Sequence, residues 1–290
     1  MAIKEYTKQY VGMFPNIFSK KARFLAAFGG TIQVVDGVTD STKFMDLKIS
    51  NDVDAVLQEY QTGENVAFGT GTGSTNRFGE RKEIKSVNKQ VDFDSPLAIH
   101  EGVDNFTVND VPDQVIAERQ AKHAEAWTEK FSQIASKALS DIASETFTGP
   151  MTEDGVTKIF NDARKKLINN NVSKDIVWRA YVTADIYNLL VDSKLATTAK
   201  KSSANIDDNE LYKFKGFILE EYPDAYFQTG EHIVFAADGV GQLGLGVQTS
   251  RALDATDFVG IVMQAAGKTA KYIPEKNAKA ILKAKLTPAG

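Results

Sequence analysis

The 290-residue chain contains no cysteine at all. That excludes disulfide scaffolds, cysteine nucleophiles, iron–sulfur clusters and thiolate zinc sites outright. Histidine is scarce, with His100, His123 and His232 the full set, and no pair has metal-ligand spacing. There is no run of 18 apolar residues, so no transmembrane helix is expected. The start, Met1 to Gly12, lacks the apolar core and small-residue cleavage site of a signal peptide. The expectation is a protein kept in the cytoplasm where it is made, with no membrane partner. A basic excess is missing too. Net charge is −4 and the pI near 5.6, which argues against a dedicated nucleic-acid binder. What remains is ordinary globular material, 42% hydrophobic and 25% charged. It suffices for one large or two modest domains with a real core.

Residues 1–50 read as an irregular, surface-lying arm. Val11 to Phe18 is apolar around Pro15, and Lys20, Lys21 and Arg23 follow. Ala22 to Phe28 reads as a short helix before Gly29-Gly30, with strand fragments at Thr31–Val35 and Lys43–Ile49. Such an arm either lies solvated on its own subunit, or packs on a neighbour or faces an anionic interior. Residues 51–106 are polar, and Gly69 to Gly73 (GTGTG) lies between two alternating segments, Gln58–Phe68 and Arg77–Phe93. Two polar strands meeting at a glycine-rich tip predict a long hairpin. It has too few apolar residues to stand alone, since an isolated two-stranded hairpin is marginal in water. An adjacent subunit is the expected cover.

Residues 111–146 carry the strongest periodicity. Val115, Ile116, His123, Trp127, Phe131, Ile134, Ala138 and Ile142 fall on one helical face. Asp110 is the expected N-cap, Pro112 lies in the first turn, and Gly149-Pro150 should end the run. About 34 residues at 1.5 Å rise make roughly 50 Å of helix. The stripe is no sustained heptad, so a sheet rather than a coiled-coil partner should cover it. A mixed α/β pattern follows. Val156, Ile159, Phe160, Ala163 and Leu167 mark a second helix. Ile176–Val182 reads as a strand, and Thr183 as the cap of a short helix, Ala184–Val191. Ser193–Asn209 reads as a polar loop. Further strands are expected at Phe217–Glu220, His232–Ala236, Leu243–Thr249, Phe258–Gln264, Lys268–Ile273 and Ala280–Leu286.

No constellation of residues makes an enzyme. Gly239-x-Gly241-x-x-Gly244 matches the dinucleotide fingerprint by letter. No helix follows it to receive a pyrophosphate, so a turn between two strands is the better reading. Gly69–Gly73 lacks the Lys and Ser/Thr of a phosphate loop. There is no G-x-S-x-G elbow. His123 sits on the apolar helix face and reads as a packed core residue, while His100 falls in a loop. The pairs Asp92/Asp94, Asp207/Asp208 and Glu220/Glu221 read as solvated surface carboxylates. No cofactor is expected.

The order of parts is the informative feature. Asn105–Asp110 (NFTVND) leads into the long helix, Trp178–Asp192 (WRAYVTADIYNLLVD) supplies a strand and helix, and Asp257–Glu275 (DFVGIVMQAAGKTAKYIPE) closes the chain. Over essentially its whole length the chain resembles the major capsid protein of tailed bacteriophages, the Hong Kong 97 fold, in forms from phages of low-GC Gram-positive hosts. The resemblance implies an α+β fold with an N-terminal arm (1–50) and an extended loop (51–106). It also implies a peripheral domain with a spine helix (107–150), an axial domain (151–265) and a C-terminal return to the peripheral domain (266–290). It implies a virion protein, assembled in the host cytoplasm as homo-hexamers and homo-pentamers around double-stranded DNA held without sequence specificity. The arm begins almost at once, without a scaffolding extension, so the implied partners are a separate scaffolding protein and the portal protein. Phe14, Phe18, Arg23, Phe68, Gly71, Arg77, Arg81, Lys82 and Lys85 are the residues expected at inter-subunit contacts. Some family members crosslink a loop lysine to a peripheral asparagine. Lys82, Lys85, Lys89 and Asn277 are the residues here that such a link would use. Two other readings stand beside this one: an encapsulin-type enzyme-storing shell on the same fold, and a nucleotide-dependent enzyme built on Gly239–Gly244.

Overall fold

A computed structural model describes residues 22–36, 43–50, 57–62, 77–79, 83–84, 86–107, 112–193, 204–205 and 210–288. The described residues divide into two compact units. One draws on Met1–Thr42 and Phe93–Gly290, the other on Lys43–Asp92.

The larger unit holds two sheets. The first has the order β1 (Ile32–Asp36), β12 (Gln242–Asp254), β13 (Gly260–Tyr272) and β4 (Leu97–Asp104). Its spine is the antiparallel pair β12–β13, with β4 antiparallel to β13 and β1 parallel to β12. The second sheet has six strands. They are ordered β5 (Glu145–Met151), β14 (Ile281–Pro288), β11 (Ile233–Ala237), β6 (Trp178–Val182), β10 (Phe217–Glu221) and β9 (Lys213–Phe214). Two-residue strands β7 (Ala204–Asn205) and β8 (Glu210–Leu211) pair separately. Strand β13 is continuous where the sequence suggested two fragments. Gly267 caused the break in the pattern, yet it lies within the ladder opposite Val247. A Cβ there would meet the Gly246 carbonyl at 2.9 Å and the Trp127 ring at 3.4 Å, so glycine marks close approach rather than a turn.

Helix α1 (Pro112–Ile142) runs 31 residues, about 46 Å at the standard rise. It serves both sheets. Val115 packs with Val103 of β4 and Met263 of β13, while Phe131, Ala135, Ala138 and Leu139 enter the main core. Gly149-Pro150 does not end this helix. The chain leaves it at Ile142, where the Ser144 amide and hydroxyl are both captured by the Ile281 carbonyl, and then enters β5. Pro150 is tolerated there because β5 is the outer strand of its sheet.

Helix α2 (Glu153–Asn169) matches its pattern residue for residue. Val156, Ile159, Phe160, Ala163 and Leu167 are its buried side chains, and the Gly155 amide donates to the Thr152 hydroxyl at its N-cap. Phe160 is fully buried and meets Phe214, Phe217 and Phe235 edge-on, with centroids 5.2, 5.7 and 5.0 Å away. Helix α3 (Ala184–Val191) begins after Thr183 as expected, but the Thr183 side chain makes no capping bond.

The arm departs from the surface-lying reading. After residue 22 it enters the core: Phe24, Ala27 and Phe28 are buried in the main cluster. Phe24, in a left-handed conformation (φ 61°), opens a 3-10 turn, Leu25–Phe28. Phe24 touches the rings of Tyr181, Tyr222 and Phe227. The turn is received by the glycine segment 239–241. The Gly239 amide donates to the Ala26 carbonyl and the Gly241 amide to the Ala27 carbonyl. The dinucleotide-like letters are therefore a turn between β11 and β12 that cradles the arm.

The chain passes from the six-stranded sheet to the four-stranded one between β11 and β12, and β14 returns to the six-stranded sheet between β5 and β11. Backbone pairing over long sequence separation decided this, and local pattern carries no record of it.

Candidate inter-subunit elements

The smaller unit is a ribbon. Strand β2 (Lys43–Ser50) pairs antiparallel with β3 (Ser86–Asp92), with an irregularity between Lys43 and Met45. The sequence placed Lys43–Ile49 in the arm and paired all of Arg77–Phe93 with Gln58–Phe68. The observed hairpin is longer at its base, because the alternation in Lys43–Ser50 matches that of Ser86–Asp92. Further out, the Gln61 amide donates to the Arg77 carbonyl at 2.9 Å, and Arg77 Nη1 returns a bond to the Gln61 carbonyl at 3.3 Å. The expected pairing therefore holds at that point.

This ribbon has almost nothing to fold around. Among its described residues only Phe44 is buried. Leu57, Tyr60, Phe78, Ile84 and Val87 are exposed, and Tyr60 and Phe78 stack edge to face at 5.2 Å. Five large apolar side chains on one thin ribbon is the signature of a surface that something else covers.

Of the nine residues expected at inter-subunit contacts, two are described. Arg77 ties the two sides of the ribbon together, as above. Arg23 is committed to its own chain. Its amide donates to the Ser132 hydroxyl, Nη1 to the Glu221 carbonyl, and its guanidinium lies 4.8 Å from the Tyr222 ring centroid. Through these contacts Arg23 anchors the start of the described arm, its backbone amide drawn onto α1. Phe14, Phe18, Phe68, Gly71, Arg81, Lys82 and Lys85 lie outside the described residues, as do Asp110, Asp207 and Asp208. Asn277, the expected crosslink acceptor, donates its side-chain amide to the Val240 carbonyl at 2.8 Å.

Three charged clusters hold the larger unit in shape. Glu101 on β4 accepts from Arg119 Nε at 2.8 Å and lies 3.0 Å from His123 Nε2, both on α1. The Arg119 hydrogen bond, against the cost of burial, holds its carboxyl down to about 2. His123 is therefore the partner of a carboxylate rather than plain core filling, and His100 lies in β4 rather than in a loop. Arg179 on β6 is bidentate to Asp238 at 2.7 and 3.1 Å and reaches Glu220 at 2.6 Å. Glu220 is thus an ion-pair partner, not a merely solvated acid. Lys283 on β14 lies 2.8 Å from Glu231, which also accepts from the Ser140 hydroxyl at 2.7 Å.

Sequence reasoning missed the serines of α1. Ser132, Ser136 and Ser140 are all buried. Their hydroxyls contact the Arg23 amide, the Tyr226 carbonyl and Glu231 in turn. The signal was present as serine at every fourth position beside the apolar stripe, a polar seam where incoming loops dock. Burial raises the Tyr222 hydroxyl to about 12, and it receives the Phe24 amide at 3.2 Å. Among the described residues no group of three His, Asp or Glu side chains is arranged to hold a metal ion, and no helix is long and apolar enough to cross a membrane.

No protein-family model and no curated protein sequence matches the chain. Solved structures do. A capsid structure of cyanophage P-SCSP1u superimposes with a TM-score of 0.70 at 12% identity, over 97% of this chain and 93% of that one. The mature capsid of bacteriophage PhiM1 gives 0.68 at 12% identity, over 97% and 91%. A structure from Mycobacterium phage Che8 gives 0.67 at 15% identity, over 98% of each chain. The chain has the Hong Kong 97-type capsid fold.

Proposed function

We propose that the chain is a major capsid protein of a tailed bacteriophage. It associates with itself as hexamers and pentamers into the icosahedral head that encloses double-stranded DNA. One observation carries the reading: a ribbon of Lys43–Asp92 that clusters apart from the rest and exposes Leu57, Tyr60, Phe78, Ile84 and Val87. A segment with that surface is stable only when covered. The capsid likeness over nearly the full length of both chains supports the same conclusion. In this reading the ribbon is the extended loop and α1 the spine helix. The four-stranded sheet belongs to the peripheral domain and the six-stranded sheet to the axial domain. The role is structural rather than catalytic. A separate scaffolding protein, the portal protein and DNA are its partners, the virion is its location, and the host cytoplasm is its place of assembly. The phage origin of the matching capsids favours this over an encapsulin-type shell.

Light scattering with negative-stain imaging of the full chain tests the proposal, with and without a scaffold. Capsomers of five or six copies, or closed shells, are expected. A chain that stays monomeric or dimeric at high concentration with scaffold present overturns it. The double substitution Y60S/F78S removes only exposed rings, so the subunit should melt as before while the concentration needed for assembly rises at least tenfold. Unchanged assembly would remove the ribbon from the interface.

A further inference from the structure

One concave site belongs to none of these elements. It is a pocket of about 260 Å³ where the end of α2, the 170–177 connection and the β9–β10 turn converge. Arg164, Lys174 and Lys213 line it, against a single carboxylate, Asp175. Asp175 Oδ2 already accepts from the Ser173 hydroxyl at 3.3 Å. Neither Arg164 nor Lys174 has an ion-pair partner among the described residues. Three cations converging on one pocket stand out in a chain of net charge −4.

The floor is apolar. Ile176 and Val177 are exposed, Ile218 is half-buried, and Trp178 closes the bottom with its indole N–H fixed on the Ser173 carbonyl at 3.0 Å. Ile168 is exposed one helical turn beyond Arg164. The walls are rigid. Lys215 and Gly216 both take positive φ (49° and 98°) in the two-residue turn joining β9 to β10. The α2 C-terminus is closed by amides of Asn170, Asn171 and Val172.

We propose that this pocket docks a short acidic peptide segment of a partner protein, one that carries an aliphatic side chain between its carboxylates. The chemistry selects that ligand. Arg164 offers a planar fork for a carboxylate, and Lys174 and Lys213 supply further charge. An aliphatic side chain would cover Ile176 and Val177, which water now wets. A volume of about 260 Å³ lies below the usual range for a small-molecule site, so it takes one or two side chains rather than a whole folded ligand. A nucleic-acid backbone would use the cations but gain nothing from the apolar floor. The inference does not depend on the shell reading, since it concerns a site on the larger unit alone.

The probe is a fluorescein-labelled eight-residue peptide of alternating Glu and Leu, titrated with the full chain by fluorescence polarisation. A 20-base-pair duplex DNA serves as competitor. Saturable binding is expected, weakened at least tenfold by R164E/K174E and also by I176S, with melting temperatures of both variants unchanged. K158E, elsewhere on α2, should leave binding intact. Loss with R164E/K174E but not with I176S, together with full competition by the duplex, overturns the proposal in favour of a polyanion face. Binding that neither variant changes, or no saturable binding, overturns it outright.

Discussion

The substitution Lys283→Met probes the buried pair that joins β14 to the loop before β11. Glu231 is 2% exposed in its side chain and Lys283 18%, with 2.8 Å between Nζ and Oε1. Glu231 Oε2 is buried and has no hydrogen-bond partner among the described residues. Among the described residues Lys283 is the cation paired with this carboxylate, which otherwise accepts from the Ser140 hydroxyl. Removing one member of a buried pair leaves an uncompensated charge and costs about 3–5 kcal/mol. A unit of more than 150 residues loses roughly 2–4 °C of melting temperature per kcal/mol, so K283M should melt about 10 °C lower. The paired change E231Q/K283M removes both charges, and most of the loss should return. Thermal melts by circular dichroism at pH 7, in unassembled protein, read all three chains. If K283M melts within 2 °C of the parent, the pair is not carrying the load assigned to it. If the double variant is as unstable as the single, the cost came from lost packing of the lysine stem.

Two smaller tests bear on how α1 and the arm are held. The Glu101 carboxyl is held near 2, below its ordinary 4.5, so its contribution is fully present above about pH 4.5 and fades as pH falls toward 2. Because the site is partly solvated, E101Q should cost only about 1 kcal/mol at pH 7, and the parent and variant curves should converge near pH 2. Curves that stay parallel across that window would deny the linkage. Gly241→Ala places a Cβ at 2.7 Å from both the Tyr272 carbonyl and Ile273 Cγ1, and at 3.0 Å from Phe28. Backbone cannot yield cheaply, so a loss of about 1–3 kcal/mol is expected in denaturant unfolding, with protection of the 24–28 segment reduced in hydrogen exchange. A neutral result would mean that the arm is not seated on this turn.

Elements whose signal is local were legible, and those defined by distant pairing were not. The five buried positions of α2 stand at helical spacing in the sequence, and the structure buries those same five. The long helix was equally plain, though its C-terminus was misplaced. Gly149-Pro150 looks like a stop until β14 supplies the partner that makes it an edge strand. Strand β5 reads ETFTGPM, and nothing in those letters announces that it pairs with residues 282–288. The base of the ribbon was hidden likewise, because β2 and β3 are separated by more than thirty residues of polar chain. The anchorage of Arg23 was hidden too, because the Ser132 hydroxyl, the Glu221 carbonyl and the Tyr222 ring that hold it all lie far along the chain.

Anchorage of the arm and exposure of the ribbon pull in opposite directions, and under the capsid role proposed above that opposition makes mechanical sense. Phe24 and Phe28 contribute large buried rings to the core, so the described start of the arm is fixed in the larger unit beside α1. The serine seam fixes α1 to the arm at Ser132, to the 224–226 turn at Ser136 and to Glu231 at Ser140. A rigid body so tied can meet its neighbours at slightly different angles only if the compliance lies elsewhere. The ribbon is the candidate for that compliance, since its described residues bury only Phe44 and pair as two strands alone. If this division of labour is right, loosening the seam with S136A should impair the subunit's melt by about 1 kcal/mol without changing assembly per folded subunit. Y60S/F78S should do the reverse. Both variants failing in the same assay would show that body and ribbon are not separable, and would remove the mechanical argument.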